Sequence, residues 1–152
     1  MALTLQEVSD RMEIQDLMVR YCYAVDDRQY DALDAIFTQD AIIDYGEMVG
    51  FKGSLAETKA FLIASLGQVP MAQHAVSTTE YRIDGDSART RTVCFNPMVV
   101  PGDDGSPQTV FFGLWYVHEF CRTSDGWRIT HLYEKKAYNH NLPDHIRKLT
   151  AA

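Results

Sequence analysis

The sequence predicts an α+β fold, with helices first and then a run of long antiparallel strands that carry those helices on one face. Three observations predict it. Apolar residues recur at helical spacing from Leu5 to Leu66, with one short β-rich interruption. From Met71 onward the pattern changes to long β-rich runs. Those runs are separated by Asp84-Gly85, by Pro101-Gly102-Asp103-Asp104-Gly105-Ser106-Pro107 and by Asp125-Gly126, which are turn sequences that join antiparallel neighbours.

Thr4 followed by Glu7 is a capping box, and Leu5, Val8, Met12, Ile14, Leu17, Met18, Tyr21 and Val25 continue a helical stripe from it. One long helix is expected from Leu5 to Ala24. Tyr30, Leu33 and Ile36/Phe37 are spaced for a short second helix packed on the first. Ala41-Ile42-Ile43-Asp44-Tyr45 is a short strand closed by Gly46, and it delivers Tyr45 at its end. Ser54 with Glu57 opens a third helix that runs through Leu66 and is closed by Gly67. Four strands follow, Gln73 to Ile83, Ala88 to Val100, Thr109 to Arg122 and Trp127 to Tyr138, long enough to twist and curve strongly. On the third, Phe112, Leu114, Tyr116 and His118 share one face, and Phe111, Trp115 and Val117 share the other. Both faces are therefore at least partly covered, which suits a partner subunit on the outer one. The tail from Ala137 to Ala152 is polar and basic at Arg147-Lys148, with Pro143 placed to start a last short helix; a lid, a dimer arm and no role at all are its three readings.

All 152 residues fit a single domain, of a size that buries roughly 70% of the surface its unfolded chain exposes, enough for a core with an internal cavity. The net charge of -7 opposes binding to nucleic acid or to anionic membranes, and neither is expected as a partner. Cys22, Cys94 and Cys121 lie inside expected helix or strand cores without zinc-site spacing, so they read as reduced core residues. No basic leader precedes an apolar run and no stretch has the length of a membrane span, which points to a cytoplasmic protein.

The first helix carries the most informative signal, because its apolar face runs through Tyr21 and Val25 straight into Asp26. A buried carboxylate without a partner costs several kcal/mol, and His74, in Met71-Ala72-Gln73-His74-Ala75-Val76, is the candidate partner. An aspartate bonded to one imidazole nitrogen fixes the tautomer and leaves the other nitrogen free as a base. The plainer alternative is that Asp26 ends a helix and His74 is a satisfied core histidine. Tyr21, one turn before Asp26, and Tyr45 can each donate a hydroxyl to a substrate oxygen as charge develops, or be buried aromatics with backbone partners. Asn96 and Tyr116 are polar residues inside strands and candidate pocket walls. His118, His131, His140 and His145 read as surface or structural. No metal is expected, the grouping of His140, Asp144 and His145 being a weak pattern on the tail.

The order of elements, together with "RYCYAVDDRQYDALDAIFTQDAIIDYGEM" and "AQHAVSTTEYRIDGDSARTR", resembles the SnoaL-like branch of the nuclear transport factor 2-like superfamily. The resemblance implies a cone-shaped, cystatin-like α+β barrel: a curved antiparallel sheet wrapped by three N-terminal helices around a pocket, commonly a homodimer or higher homo-oligomer formed through the outer sheet. Within the branch, scytalone dehydratases have an acid, tyrosine and histidine at positions matching Asp26, Tyr45 and His74. Bile acid 7-alpha-dehydratases are similar in a tyrosine, acid and histidine on Tyr21, Asp26 and His74. Hexachlorocyclohexane dehydrochlorinases resemble it in "IQDL" followed by "VD.RQ", with the dyad on Asp26 and His74. The second histidine and the asparagine of scytalone dehydratases fall on Met98 and Tyr116, so their substrate recognition does not carry over; the substrate-binding residues expected here are Asn96, Met98, Phe112, Leu114 and Tyr116.

What the resemblance implies is a cofactor-independent lyase of dehydratase type, or an isomerase, abstracting a proton from a small hydrophobic, cyclic substrate, with His74, Asp26, Tyr21 and Tyr45 as catalytic residues. Two other classes stand beside it. One is a non-catalytic small-molecule-binding or scaffold member. The other is a chain resembling the small subunit of ring-hydroxylating dioxygenases.

Overall fold

The computed structural model describes residues 2–150. The first apolar stripe forms helix α1, Leu5–Asp26, and both halves of the expected capping box are made: Glu7 N donates to Thr4 Oγ1, and Thr4 N donates to the Glu7 carboxylate. The helix outruns the expected Ala24, because Asp27 N still closes on the Tyr23 carbonyl, and Asp26 lies in its last turn. The next segment is a 3-10 helix, Tyr30–Ala35, and it stops before Phe37. Phe37 begins β1, Phe37–Tyr45, which therefore starts earlier than the expected Ala41. After one helical turn, α2 (Gly46–Val49), a short strand β2 (Phe51–Ser54) pairs back on β1 and leads into α3, Leu55–Leu66, begun by the Ser54–Glu57 capping box.

A two-residue strand, β3 (Met71–Ala72), precedes the four long ones: β4 (Ala75–Asp84), β5 (Ser87–Pro101), β6 (Pro107–Thr123) and β7 (Gly126–His140). Gly85 sits at φ +58 in the turn between β4 and β5, a conformation that a side chain makes costly. β4 to β7 pair antiparallel in chain order, as expected. The sheet runs β2-β1-β7-β6-β5-β3, with β4 also on β5, and it departs from the expected antiparallel pattern in one place: β1 lies parallel to β7, Ile43 opposite Leu132. β7 runs two residues past the expected end at Tyr138, through His140, and helix α4 (Asp144–Thr150) follows Pro143.

The core fills the space between α1 and the concave sheet face. Ile14, Leu17, Met18, Tyr21 and Val25 of α1 are all buried against Leu114, Tyr116, Phe120, Ile129 and Leu132. On β6 the alternation is as read: Phe112, Leu114, Tyr116 and His118 are buried, while Phe111, Trp115 and Val117 are half-buried on the convex face. Asp10 ties the start of α1 to the far end of the sheet, accepting from Arg122 Nη2 at 2.9 Å and from Trp127 Nε1 at 3.1 Å. The Arg122 guanidinium also lies 4.4 Å over the Trp127 ring. Cys22 and Cys94 are buried and free, whereas Cys121 is only half-buried near the end of β6. Among the described residues no helix is long and apolar enough to cross a membrane.

Candidate active site

Asp26 and His74 meet although they are 48 positions apart. The reason lies in two chain ends: α1 stops at Asp26, and the segment between β3 and β4 passes over that stop. His74 therefore sits just ahead of β4, where its backbone is not committed to the sheet, and its own N–H donates to Asp26 Oδ2 at 2.8 Å. Its ring Nδ1 lies 2.5 Å from Asp26 Oδ1. One carboxylate thus holds the histidine by main chain and side chain together, in a site where the histidine side chain is 5% exposed and the aspartate 14%. An acceptor at Nδ1 puts the ring proton there and leaves a lone pair on Nε2. Arg28 locks the surroundings, donating to the carbonyls of Val25, Asp26 and Val69.

His74 Nε2 faces Asn96 Nδ2 at 2.8 Å, while Asn96 Oδ1 is buried with no hydrogen-bond partner. The amide can serve either charge state of the ring: its N–H₂ donates to a neutral Nε2, and its oxygen, if the amide turns over, accepts from an imidazolium.

Beyond Nε2 opens a cavity of about 330 Å³. Its walls are Val25 of α1, Met48 and Val49 of α2, Phe61, Leu62 and Leu66 of α3, Met98 and Val100 of β5, and Phe112 and Leu114 of β6, with Ile146 of α4 closing it. Few polar groups break this lining: Tyr21, Tyr45, Ser65, His74, Asn96 and Glu134. The two tyrosine hydroxyls are 2.6 Å apart, so one donates to the other and the second keeps its proton free. Burial, with Glu134 nearby, pushes both phenols well above the usual tyrosine range, so they are proton donors and not phenolates.

Of the expected substrate-binding residues, Asn96, Met98, Phe112 and Leu114 line the cavity. Tyr116 does not. It stands in the core behind Tyr21, ring centroids 5.7 Å apart, with its hydroxyl unpartnered. Its place on the inward face was read correctly, but it packs edge-on against Tyr21 in the core and is not part of the cavity lining. His118 is fully buried between Tyr116 and Phe120, and burial pushes it down to about 3, so it is a neutral core residue. His145 is paired with Asp103 through Nδ1 at 3.0 Å, away from the cavity lining. Leu142 of the tail is buried in the core and Ile146 lines the cavity.

Glu134 was not singled out in the sequence. The signal was present, because Trp127, Ile129, Leu132 and Glu134 form an apolar series running into an acid, as on α1. A bulge between Ile129 and His131 shifts the alternation by one residue and hides it from a period of two.

The profile of the SnoaL-like domain family matches residues 6–133. An uncharacterized protein, Rv2910c, of Mycobacterium tuberculosis is 46% identical over 136 residues, which cover 90% of this chain and 91% of that protein. Among solved structures, the hexachlorocyclohexane dehydrochlorinase LinA-type3 from Novosphingobium barchaimii superposes with a TM-score of 0.77 at 19% identity, over 92% of this chain and 94% of that one. A nuclear transport factor 2-like superfamily protein from Salmonella enterica matches with a TM-score of 0.73 at 14% identity, over 90% and 97% of the two chains. At those identities the likeness is one of fold, and the fold is nuclear transport factor 2-like.

Proposed function

This chain belongs to the SnoaL-like domain family, and from that premise we propose that it is a cofactor-independent lyase or isomerase that abstracts a proton from carbon in a small hydrophobic, cyclic substrate. The single observation that carries the reading is the Asp26 carboxylate, which grips both the main-chain N–H and ring Nδ1 of His74 while Nε2 faces Asn96 in the wall of a largely apolar cavity. His74 Nε2 is the general base. Asp26 holds the reactive tautomer and offsets the imidazolium charge as the proton arrives. Asn96 gives way to the substrate carbon and then accepts from the protonated ring. The Tyr21–Tyr45 pair supplies one free O–H to the oxygen on which charge develops, in largely apolar surroundings. That the fold is shared with a dehydrochlorinase agrees with elimination chemistry.

The occupied form is proposed to be a homodimer. Its convex face carries Phe95 stacked on Phe111 with centroids 5.7 Å apart, Trp115 under Arg91, and an exposed Tyr138.

The reading is tested by turnover of cyclic β-hydroxy ketones, followed by the absorbance of the conjugated enone. His74→Ala is expected to raise the barrier by about 3 to 5 kcal/mol if proton removal limits the rate. Asp26→Asn is expected to lose turnover while remaining folded, because an amide can select the wrong imidazole tautomer. Full activity in a well-folded His74→Ala protein would leave a binding module as the better description.

A further inference from the structure

Two polar groups of the cavity, Ser65 and Glu134, have no task in the reaction as described, and Ser65 donates to the Phe61 carbonyl of its own helix. Glu134 projects from β7 opposite Tyr116 and lines the same cavity as His74, Tyr21 and Tyr45. No hydrogen bond or ion pair ties it down within the described residues, whereas Asp26, the other carboxylate of the site, is held by two bonds from His74. We propose that Glu134 is the general acid of this site, handing its proton to an oxygen leaving group, so that the reaction is loss of water and not of an anion able to leave unaided.

The proposal rests on the His74 reading and deepens it. Two carboxyls in one site with unlike surroundings can take opposite roles, and here one is held by His74 while the other has no partner among the described residues. Asp44 of β1 brings a second negative charge, Tyr21 of α1, Tyr45 of β1, Cys94 of β5 and Tyr116 of β6 beside it are neutral and bring no cation, and Lys135 and Lys136, its neighbours on β7, make no ion pair with it among the described residues. Burial, with Asp44 second, pushes the Glu134 carboxyl up to about 8. In the reaction His74 Nε2 takes the proton from the carbon beside the carbonyl, and that C–H electron pair becomes the new C=C bond. The C–O bond breaks at the neighbouring carbon, and the departing oxygen takes the Glu134 proton and leaves as water. His74 has then gained one proton and Glu134 has lost one, and solvent returns it. Chloride needs no such proton, so a neutral acid in this position selects hydroxylated substrates.

Two measurements test this. Infrared difference spectra of wild type minus Glu134→Gln, from about pH 6 to about pH 10, need no substrate. A protonated-carboxyl band at the acid end that converts to carboxylate near pH 8 is expected. A carboxylate at residue 134 already at pH 6 would overturn the proposal. The second compares β-hydroxycyclohexanone with β-chlorocyclohexanone. Glu134→Gln is expected to slow loss of water about a hundredfold or more while leaving loss of chloride within a few-fold. Equal slowing of both would make Glu134 a structural residue and overturn the proposal. His74→Ala separates the two readings: it is expected to lose both reactions. Wild-type rates in that variant, beside a neutral Glu134, would sink the base and leave the acid.

Discussion

The two carboxyls of the site differ in how a sequence can betray them. Asp26 was found because α1 has an unbroken period and its stripe runs into an acid at the helix end. His74 followed from asking what partner that acid needed, and the stretch around it, AQHAVSTTEYRIDGDSARTR, carries the family resemblance that points to the same pair. Glu134 escaped because a single bulge reverses the alternation on β7. Its elevated carboxyl has a consequence for stability that needs no substrate. In the unfolded chain it titrates near 4.5 and in the native state near 8. The native state therefore binds the extra proton between those values, and the stability this carboxyl allows is fully present below about pH 4.5 and falls as pH rises to about 8. Glu134→Gln, which cannot ionise, is expected to gain on wild type across that window. Urea unfolding at about pH 5 and about pH 9 measures it, and a difference that stays constant between the two would contradict the assignment.

At the scale of elements, what was local was readable. Both capping boxes, the Asp84-Gly85 and Asp125-Gly126 turns and the inward face of β6 depend on residues a few positions apart, and all are as expected. The parallel pairing of β1 with β7 joins segments some ninety residues apart, and no local pattern announces it. β2 and β3 are too short to carry a period. Asp10 was likewise missed, because on sequence it is one more polar residue in the first turns of a helix. In the structure it is the acceptor that Trp127 Nε1 and Arg122 both need, and Arg122 holds its carboxyl down to about 2. Asp10→Ala leaves the indole N–H buried without an acceptor and is expected to cost about 2 to 3 kcal/mol in chemical denaturation. A loss below about half a kcal/mol would mean that α1 is anchored by its apolar stripe alone.

For the whole molecule, the balance between a concave face spent on the cavity and a convex face still partly apolar was visible from strands that are apolar on both sides. Which of the two faces carries the cavity follows from where α1 packs. Light scattering is expected to give a dimer, and Phe111→Glu, which places a charge on the Phe95 stack, is expected to shift it to monomer without unfolding. An unchanged mass in that variant would put the interface elsewhere. The most direct test of the central claim does not require the natural substrate, because proton abstraction beside a carbonyl can be followed on a simple apolar ketone. Decalone is incubated with the protein in deuterium oxide, and loss of its α-proton signals is followed by NMR. Wild type is expected to accelerate the exchange, with a well-folded His74→Ala protein about a hundredfold or more slower. Exchange at the wild-type rate in His74→Ala would contradict it.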